Sequence, residues 1–536
     1  AEAMRALITK EGRVIIIEGE AGLGKSRLIE EAVRQASAMN IKMLIGLSEA
    51  IEQNTPYHVW KNIAAAIFEI ETQADISEQR LQFEKAAEEN LSVAERAPLL
   101  NGILPFNLPE NDFTKNITGE ARASAMHDLI LERLAGIAGK TPTVLIVEDV
   151  HWLDSGSWAL LGLAAQRVKP LLILVTLRPE SINPPMESIL LRGMPSTRVL
   201  TLMPLGNEDI ETLLCQRLNV RKLPEQLVTF ILNKAEGHPF YSEELVHTLR
   251  DSNLLLIKDN ECTLAPTARN LEALNLPGSL EGVITSRIDK MPPSHQLTLK
   301  VASVIGRVFA LQELSAIYPI HEDIPALPGY LNQLEKEELT ILDSPDPDTS
   351  YLFKHIITQE VAYNLLLYSQ RRSLHRSIAE WYEQAFGSEA VTHFPALAYH
   401  WKQADVPPKA MEYLEKAGNM ALHNGAYREA IQFFTQALEK AENTKNSDLP
   451  PMRQARWLRS VGEAHMALGQ LESARNYFRK ATQILKQPDA NTQLSTLTGL
   501  MYQLFIQSFH RRFPGIFIGR GKARDEMLQE IAQNYT

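Results

Sequence analysis

Residues 13–27 read RVIIIEGEAGLGKSR, and this stretch decides the fold of the first third of the chain. The β-branched run Arg13–Glu18 has the composition of a strand buried on both faces, as parallel strands are. Gly19-Glu20-Ala21-Gly22-Leu23-Gly24-Lys25-Ser26 then fits the pattern GxxxxGK[ST], and Ser26 to Ala38 follow a helical period. A strand, a glycine-rich turn and a helix N-terminus in that order make a phosphate-binding loop. Glycines let backbone N–H groups point inward at phosphate oxygens, and the helix dipole adds positive potential. Lys25 is expected to reach the β- and γ-phosphates and Ser26 to bind Mg²⁺. Gly19, Glu20, Ala21, Gly22, Leu23, Gly24 and Arg27 are expected to line the same ATP or ADP site.

Working outward, Lys42–Leu47, Thr143–Asp149, Leu171–Thr176 and Arg198–Met203 are further strand candidates. They alternate with helical stretches, which implies a parallel sheet covered by helices. The run Val144–Val147 ends in Glu148-Asp149, at the carboxyl end of a strand where ligands of open α/β sheets sit. Adjacent acids opposite a phosphate loop suit a cation shell and a water-activating base. Glu148 is assigned to Mg²⁺ and Asp149 to water activation, with the reverse assignment left open. Arg178, just past the next apolar strand, is placed to contact a γ-phosphate and report its presence. His151 and Trp152 read as structural residues, His151 hydrogen-bonded and Trp152 packed.

The helical stretch from about 56 to 140 is broken at the Pro-containing segment Leu104–Asn111. After about 206 the pattern changes. Helical periods run from Glu208 to Arg250, and Leu254–Leu264 reads as a hairpin around Asp259-Asn260. Short helices follow from Leu276. They end in a β-like pair, Thr340–Asp343 and Tyr351–Lys354, which suggests a winged helix. Beyond 357 the pattern is helical throughout. There Gly418, Ala430, Phe434 and Ala437 recur as Gly462, Ala474, Phe478 and Ala481, the spacing of tetratricopeptide-like units. The connection is longer than the usual ~34-residue period allows, and a third unit is expected to start near 491.

The fold class is therefore multidomain: an α/β P-loop NTPase with a parallel sheet, then an all-α lid, a winged helix and an α-solenoid. Boundaries are placed at 1–205 for the ATPase domain, 206–275 for the lid and 276–356 for the winged helix. A helical linker at 357–405 and tetratricopeptide-like repeats at 406–536 complete the division. With 536 residues the chain is too long for one core. Its hydrophobic share of 45% and charged share of 22% are ordinary globular composition. The net charge of -11 argues against a dedicated nucleic-acid binder. Cys215 and Cys262 are the two cysteines; they make no metal cluster and fit a reducing, cytoplasmic compartment. No apolar run has the ~20 residues of a membrane helix, and no signal peptide is visible. The chain opens at Ala1 and enters a strand almost at once, which fits a segment excised from a longer protein.

The loop GEAGLGKSR, the strand VLIVEDVHWLD, TLRPE after the next strand and GHPFYSEEL at 237–245 together resemble the STAND branch of P-loop ATPases. Those are signal-transduction switches rather than motors. The likeness extends to the region downstream of the catalytic domains in soluble-type class III adenylyl cyclases. It is carried by SEAIEQNTPYHVW (48–60), EGVITSRIDKM (281–291), LKVASVIGRVF (299–309) and FKHIITQEVAYNLLL (353–367). The resemblance implies that Pro239, in the turn Gly237-His238-Pro239, lies against the adenine. It also implies that a winged-helix residue, His355 or Lys354, touches the β-phosphate of bound ADP. The family usually carries a Gly-Arg element just before the first helix, and this chain begins after that point; paired cyclase domains are not among its 536 residues. This chain is not expected to form cyclic AMP itself.

Three readings remain open on the sequence. One is a slow regulatory ATPase that controls an attached or partner cyclase, with its helical repeats sensing a protein ligand. Another is a transcription regulator of the maltose-activator kind, for which Ile324–Glu338 is a poor DNA reader: Lys336 stands among Glu335, Glu337 and Glu338. The short basic stretches RRSLHR, HRRF and GRGKAR read as solvated faces. The third is a scaffold that nucleotide merely stabilises.

Overall fold

Five runs of β-branched and leucine side chains meet as one parallel sheet. In this computed structural model, described over residues 2–485 except 72–75, 89–90, 180–183, 267–270, 272–276, 346–348 and 444–448, helix α1 (Glu2–Ile8) precedes β1 (Arg13–Glu18). Then come α2 (Lys25–Ala38), β2 (Lys42–Leu47), α3 (Trp60–Ile67), α4 (Ile76–Glu88), α5 (Leu91–Arg96) and α6 (Gly119–Lys140). β3 (Thr143–Glu148), α7 (Ser155–Arg167), β4 (Leu172–Leu177), α8 (Met186–Arg192) and β5 (Thr197–Thr201) complete the layer. All five strand candidates are present, within a residue or two of their expected ends.

The sheet order is β2-β3-β4-β1-β5, and every ladder is parallel. Alternate residues of each inner strand face opposite ways. Val144, Ile146, Leu172 and Leu174 pack with Met4, Leu7 and Ile29 of α1 and α2. Leu145, Val147, Ile173 and Val175 pack with Trp60, Ile63, Leu134 and Leu161 on the other face. Both faces are covered, which is why β3 and β4 read as continuous apolar runs. β5 differs: like β2 it is an edge strand, and its Val199 and Leu200 are exposed. β4 separates β1 from β3, so the loop after β1 and the acids after β3 start about 10 Å apart at the strand axes. Facing side chains can close that gap.

Next come three helices, α9 (Asn207–Leu218), α10 (Glu225–Ala235) and α11 (Pro239–Asp251), and the hairpin β6 (Leu255–Lys258) with β7 (Glu261–Leu264). Its turn residues Asp259 and Asn260 have φ of 51° and 62°, the left-handed pair that a two-residue hairpin needs. Ile210, Leu227, Leu245 and Leu255 form the core here. Cys215 and Cys262 remain unbridged.

A third core joins α12 (Leu280–Asp289), α13 (Pro293–Ile305), β8 (Val308–Ala310), α14 (Leu311–Ile317), α15 (Leu327–Lys336), β9 (Thr340–Ser344) and β10 (Ser350–Phe353). The three strands form an antiparallel sheet ordered β8-β10-β9. The sequence reading found β9 and β10 and missed β8, three residues long and without a pattern of its own. α16 (Ile356–Asn364) and α17 (Tyr368–Phe386) bury Val361, Leu374 and Ile378 in the same core.

The chain divides into two compact units. The first comprises Ala1–Thr114 and Ala125–Thr392, and the second Lys115–Ser124 and the residues from His393 on. In the second unit α18 (Phe394–Gln403), α19 (Pro407–His423), α20 (Tyr427–Asn443), α21 (Pro451–Ala467) and α22 (Leu471–Ile484) pack each on the next. A Cβ on Gly418 would lie 2.8 Å from the Phe434 ring, and one on Gly462 would lie 2.7 Å from Phe478. The two glycine–phenylalanine contacts are the same device used twice. A third unit near 491 and the basic stretches HRRF and GRGKAR lie outside the described residues.

Gly418→Val should destabilise the second unit by about 1–3 kcal/mol, because its methyl groups would press into Phe434. Gly136→Ala in α6, with open space around it, should instead stabilise by about 0.5–1 kcal/mol. Urea unfolding midpoints of the two variants check both signs.

Candidate nucleotide site

Gly22 and Gly24 adopt φ of +82° and +96°, the left-handed backbone that lets the loop curl. Gly22 is also hemmed in: a Cβ there would stand 2.5 Å from His238 Cε1. α2 begins at Lys25 with Gly24 as its N-cap and no capping side chain. Its first N–H groups are therefore left for another acceptor, and an anion at the helix N-terminus is the natural one. The Lys25 ammonium folds back onto the loop, donating to the Gly19 and Glu20 carbonyls at 2.7 and 3.0 Å. Burial lowers its pKa from the ordinary lysine value, Asp149 opposes the shift, and Arg178 adds to it.

Ser26 and Glu148 meet across the sheet, Ser26 Oγ donating to Glu148 Oε2 at 3.2 Å. Burial raises the Glu148 carboxyl above its usual value, against the pull of Arg307. Among the described residues no group of three or more His, Cys, Asp or Glu forms a metal cluster. A hydroxyl and one carboxylate nonetheless suit Mg²⁺, which keeps several waters and takes other ligands from phosphate.

Asp149 lies beyond the strand with φ 53°, a strained position for a non-glycine residue of the sort that gathers at functional sites. Its N–H donates to Thr176 Oγ1 at 2.8 Å, which aims the carboxylate. Arg307, on the turn between α13 and β8, pairs with Asp149 Oδ2 at 3.2 Å; the two side chains are 11% and 18% exposed. Arg178 points toward α16, 3.6 Å from Glu360. Glu148, Asp149, Lys25 and Arg178 are thus gathered at one strand-end cluster, and a residue the sequence reading passed over joins them.

The turn before α11 lies against the loop. His238 Nδ1 accepts the Tyr241 N–H at 3.2 Å, so its proton sits on Nε2, which donates to Ala21 O at 2.9 Å. Pro239 opens α11, and the Phe240 N–H reaches Gly22 O at 3.4 Å. His355 packs on the Phe240 ring, centroids 3.9 Å apart and planes tilted by 33°, and holds the N-cap position of α16 without a side-chain capping bond. It therefore faces the loop through Phe240. Lys354 is held 2.5 Å from Glu338, which Arg217 also pairs. Arg27 is exposed and lies 3.8 Å from Glu30.

His151 corrects an expectation. Both of its ring nitrogens are buried without a hydrogen-bond partner, and burial lowers its pKa to about 4. It stands beside Trp152, centroids 5.0 Å apart. Asp154 caps α7 by accepting the Ser157 N–H at 2.9 Å. Sequence reasoning also missed Arg307, Glu360 and the ring contacts of His238 and Phe240. The available signals were the Gly-His-Pro turn and the arginine in LKVASVIGRVF, whose partners lie far away in the chain.

These features define a P-loop nucleotide-binding domain, and the AAA ATPase domain family matches residues 1–175. A family described as a domain of unknown function matches residues 206–263. The chain is 26% identical over 502 residues to an uncharacterized protein of Rhizobium meliloti (strain 1021), covering 91% of this chain and 46% of that protein. It is 22% identical over 350 residues to adenylate cyclase type 10 of Oryctolagus cuniculus, covering 58% of this chain and 22% of the cyclase. The chain thus spans less than half the length of either relative. The solved structure of the Aeropyrum pernix ORC1 protein in complex with DNA aligns at 12% identity over 68% of this chain and 90% of that one, with a TM-score of 0.32. Among the described residues no helix is long and apolar enough to cross a membrane.

Burial holds His355 and His247 at pKa values of about 3, and His127 at about 4, each below the ordinary 6.5. Neutral burial of such histidines contributes stability that is fully present above pH 6.5 and lost as pH falls toward the folded values. Glu49, raised by burial to about 7, acts oppositely, since its ionised form becomes costlier to keep folded as pH rises from 4.5 to 7. His355→Phe, which keeps the ring packing on Phe240, should flatten the acid limb by about 1.4 kcal/mol per pH unit between pH 6 and 4. Denaturant melts across that range measure it.

Proposed function

We propose that this chain is an ATP-operated signal-transduction switch of the STAND type. It would bind Mg-ATP at the Gly19–Ser26 loop, hydrolyse it slowly, and control an attached or partner effector of the class III adenylyl cyclase kind. The observation that carries the reading is the Ser26–Glu148 contact of 3.2 Å across the loop, with the downstream elements fastened directly onto the same site. A motor would gain nothing from such fastening. A switch requires it, because the γ-phosphate must bias how two packed bodies sit.

Loop amides and Lys25 would hold the phosphates, and Pro239 would lie toward the base. Ser26 and Glu148 would hold Mg²⁺, which when bound draws charge from the phosphate oxygens. Asp149 would take the proton from the water that attacks the γ-phosphorus, while the bond from that phosphorus to the ADP oxygen breaks. Products are ADP and inorganic phosphate. Arg178 would meet the γ-phosphate, and His355 or Lys354 would answer to ADP. The order α13, β8, α14, α15, β9, β10 supports a winged-helix reading of the third core. The paired Gly418–Phe434 and Gly462–Phe478 contacts support tetratricopeptide-like repeats able to take a protein ligand. The cyclase effector is suggested by the partial likeness to adenylate cyclase type 10, and a cytoplasmic setting by the two unbridged thiols.

Lys25→Ala should weaken ATP binding at least about tenfold, since it removes a charge-assisted phosphate contact; unchanged affinity in a fluorescent-nucleotide titration would contradict the reading. Asp149→Asn should bind ATP normally and hydrolyse it about 100-fold more slowly or worse. Glu148→Gln should mainly shift the Mg²⁺ concentration needed for binding. If single-turnover assays reverse the last two phenotypes, the acids exchange roles.

A further inference from the structure

We infer that Arg307 is a positioning residue of the nucleotide site: while the α12–α17 core is docked, it holds the Asp149 carboxylate away from water and so brakes hydrolysis. The inference rests on the ATPase reading above and says how that site is regulated.

Two ion pairs link the site to this core. Arg307 grips Asp149 at 3.2 Å, and Glu360 lies 3.6 Å from Arg178. The proposed water-activating acid and the proposed γ-phosphate cation are therefore each matched by a charge from the same body. Arg307 and Glu360 belong together mechanically. Gln359 Nε2 donates to Ser303 O at 2.7 Å, tying α16 to α13, and Arg307 O accepts the Phe353 N–H at 2.9 Å. Glu49 receives the backbone N–H groups of Arg307 and Val308, which seats the turn against the segment after β2. A displacement of this core loosens both pairs at once.

The clasp is also incomplete. Arg307 Nε is buried without a partner, so its guanidinium is only partly satisfied, and a stronger anion can compete for it. A γ-phosphate is such an anion for Arg178 as well, because charge-assisted, bidentate contacts favour phosphate over a carboxylate 3.6 Å away. Drawing Arg178 off Glu360 removes one arm of the clasp, and the other arm then yields Asp149 to water. A carboxylate oxygen paired with a guanidinium is a weaker base toward the water proton, because the cation favours the ionised form. Hydrolysis thus waits on undocking, and the ATP state persists long enough to signal.

The test compares the full chain with Arg307→Gln, Arg307→Lys and Glu360→Gln by single-turnover hydrolysis of Mg-ATP, with nucleotide affinity and thermal melts measured alongside. Arg307→Gln, which breaks a mostly buried pair, and Glu360→Gln, which breaks a half-exposed one, should each speed hydrolysis about tenfold. ATP affinity should stay within about twofold, and Arg307→Lys should stay close to the parent rate. A purely structural arginine would give slower hydrolysis or weaker binding instead. Unchanged rates with ATP bound, or no hydrolysis in any variant that binds ATP, overturn the brake. A slower rate in Arg307→Gln would move Arg307 to the transition state and overturn it too. If Arg307→Gln does not fold, Glu360→Gln decides alone, by the same criterion. Failure of the parent chain to bind ATP at all overturns the ATPase reading, and the brake with it.

Discussion

The ion pair between Asp149 and Arg307 is the interaction on which the rest of this structure turns. It joins residues 158 apart in the chain and connects the chemical end of a parallel sheet to a separate apolar core. Parallel topology brings Glu148 and Asp149 to the same edge as the Gly19–Ser26 loop, because all five strands end on one side. β4, lying between β1 and β3, leaves the gap in which a triphosphate would sit. The partly buried guanidinium then couples that gap to the packing beyond it. Arg178 near Glu360 and Ala21 against the third core also join the α/β layer to the α12–α17 core, but the Asp149–Arg307 pair is the contact that engages the acid after β3. In the proposed switch, a change of charge at the site would act on that packing through this pair.

Much of the first unit was legible in the sequence. A continuous apolar run buried on both faces needs no period to be recognised, so β1, β3 and β4 stood out. The loop signature fixed what followed β1. β5 was legible as a strand but not as an edge, since Val199 and Leu200 look apolar whether or not a neighbour covers them. β8 was too short to carry a pattern. In the second unit the repeated glycine and phenylalanine positions were readable because each pair solves the same steric problem, a ring lying flat on a helix that lacks a side chain.

The site was readable only along the chain, not across it. Lys25, Ser26 and Glu148 come with local signatures. His238 does not, because its bond to Ala21 O spans 217 residues, and neither does Arg307. Asp149 was found by its neighbour Glu148, yet its left-handed backbone and its hydrogen bond to Thr176 belong to three dimensions. His151 shows the opposite failure. A histidine near an acidic pair reads as a satisfied structural residue, but its ring nitrogens are buried and unpartnered. Groups of this kind cost stability and persist where a site needs them. Its position beside Asp149 places that cost at the candidate nucleotide site.

If the γ-phosphate drives the α12–α17 core to undock, amide hydrogen exchange should register it. The segments to follow are 306–310, which carries Arg307, and 353–360, which carries His355 and Glu360, in the full chain. They are compared at saturation with ADP and with a non-hydrolysable Mg-ATP analogue. Faster exchange in both segments with the ATP analogue than with ADP is the predicted result. Equal protection in the two states, with each nucleotide shown to be bound, would mean that the γ-phosphate does not undock this core.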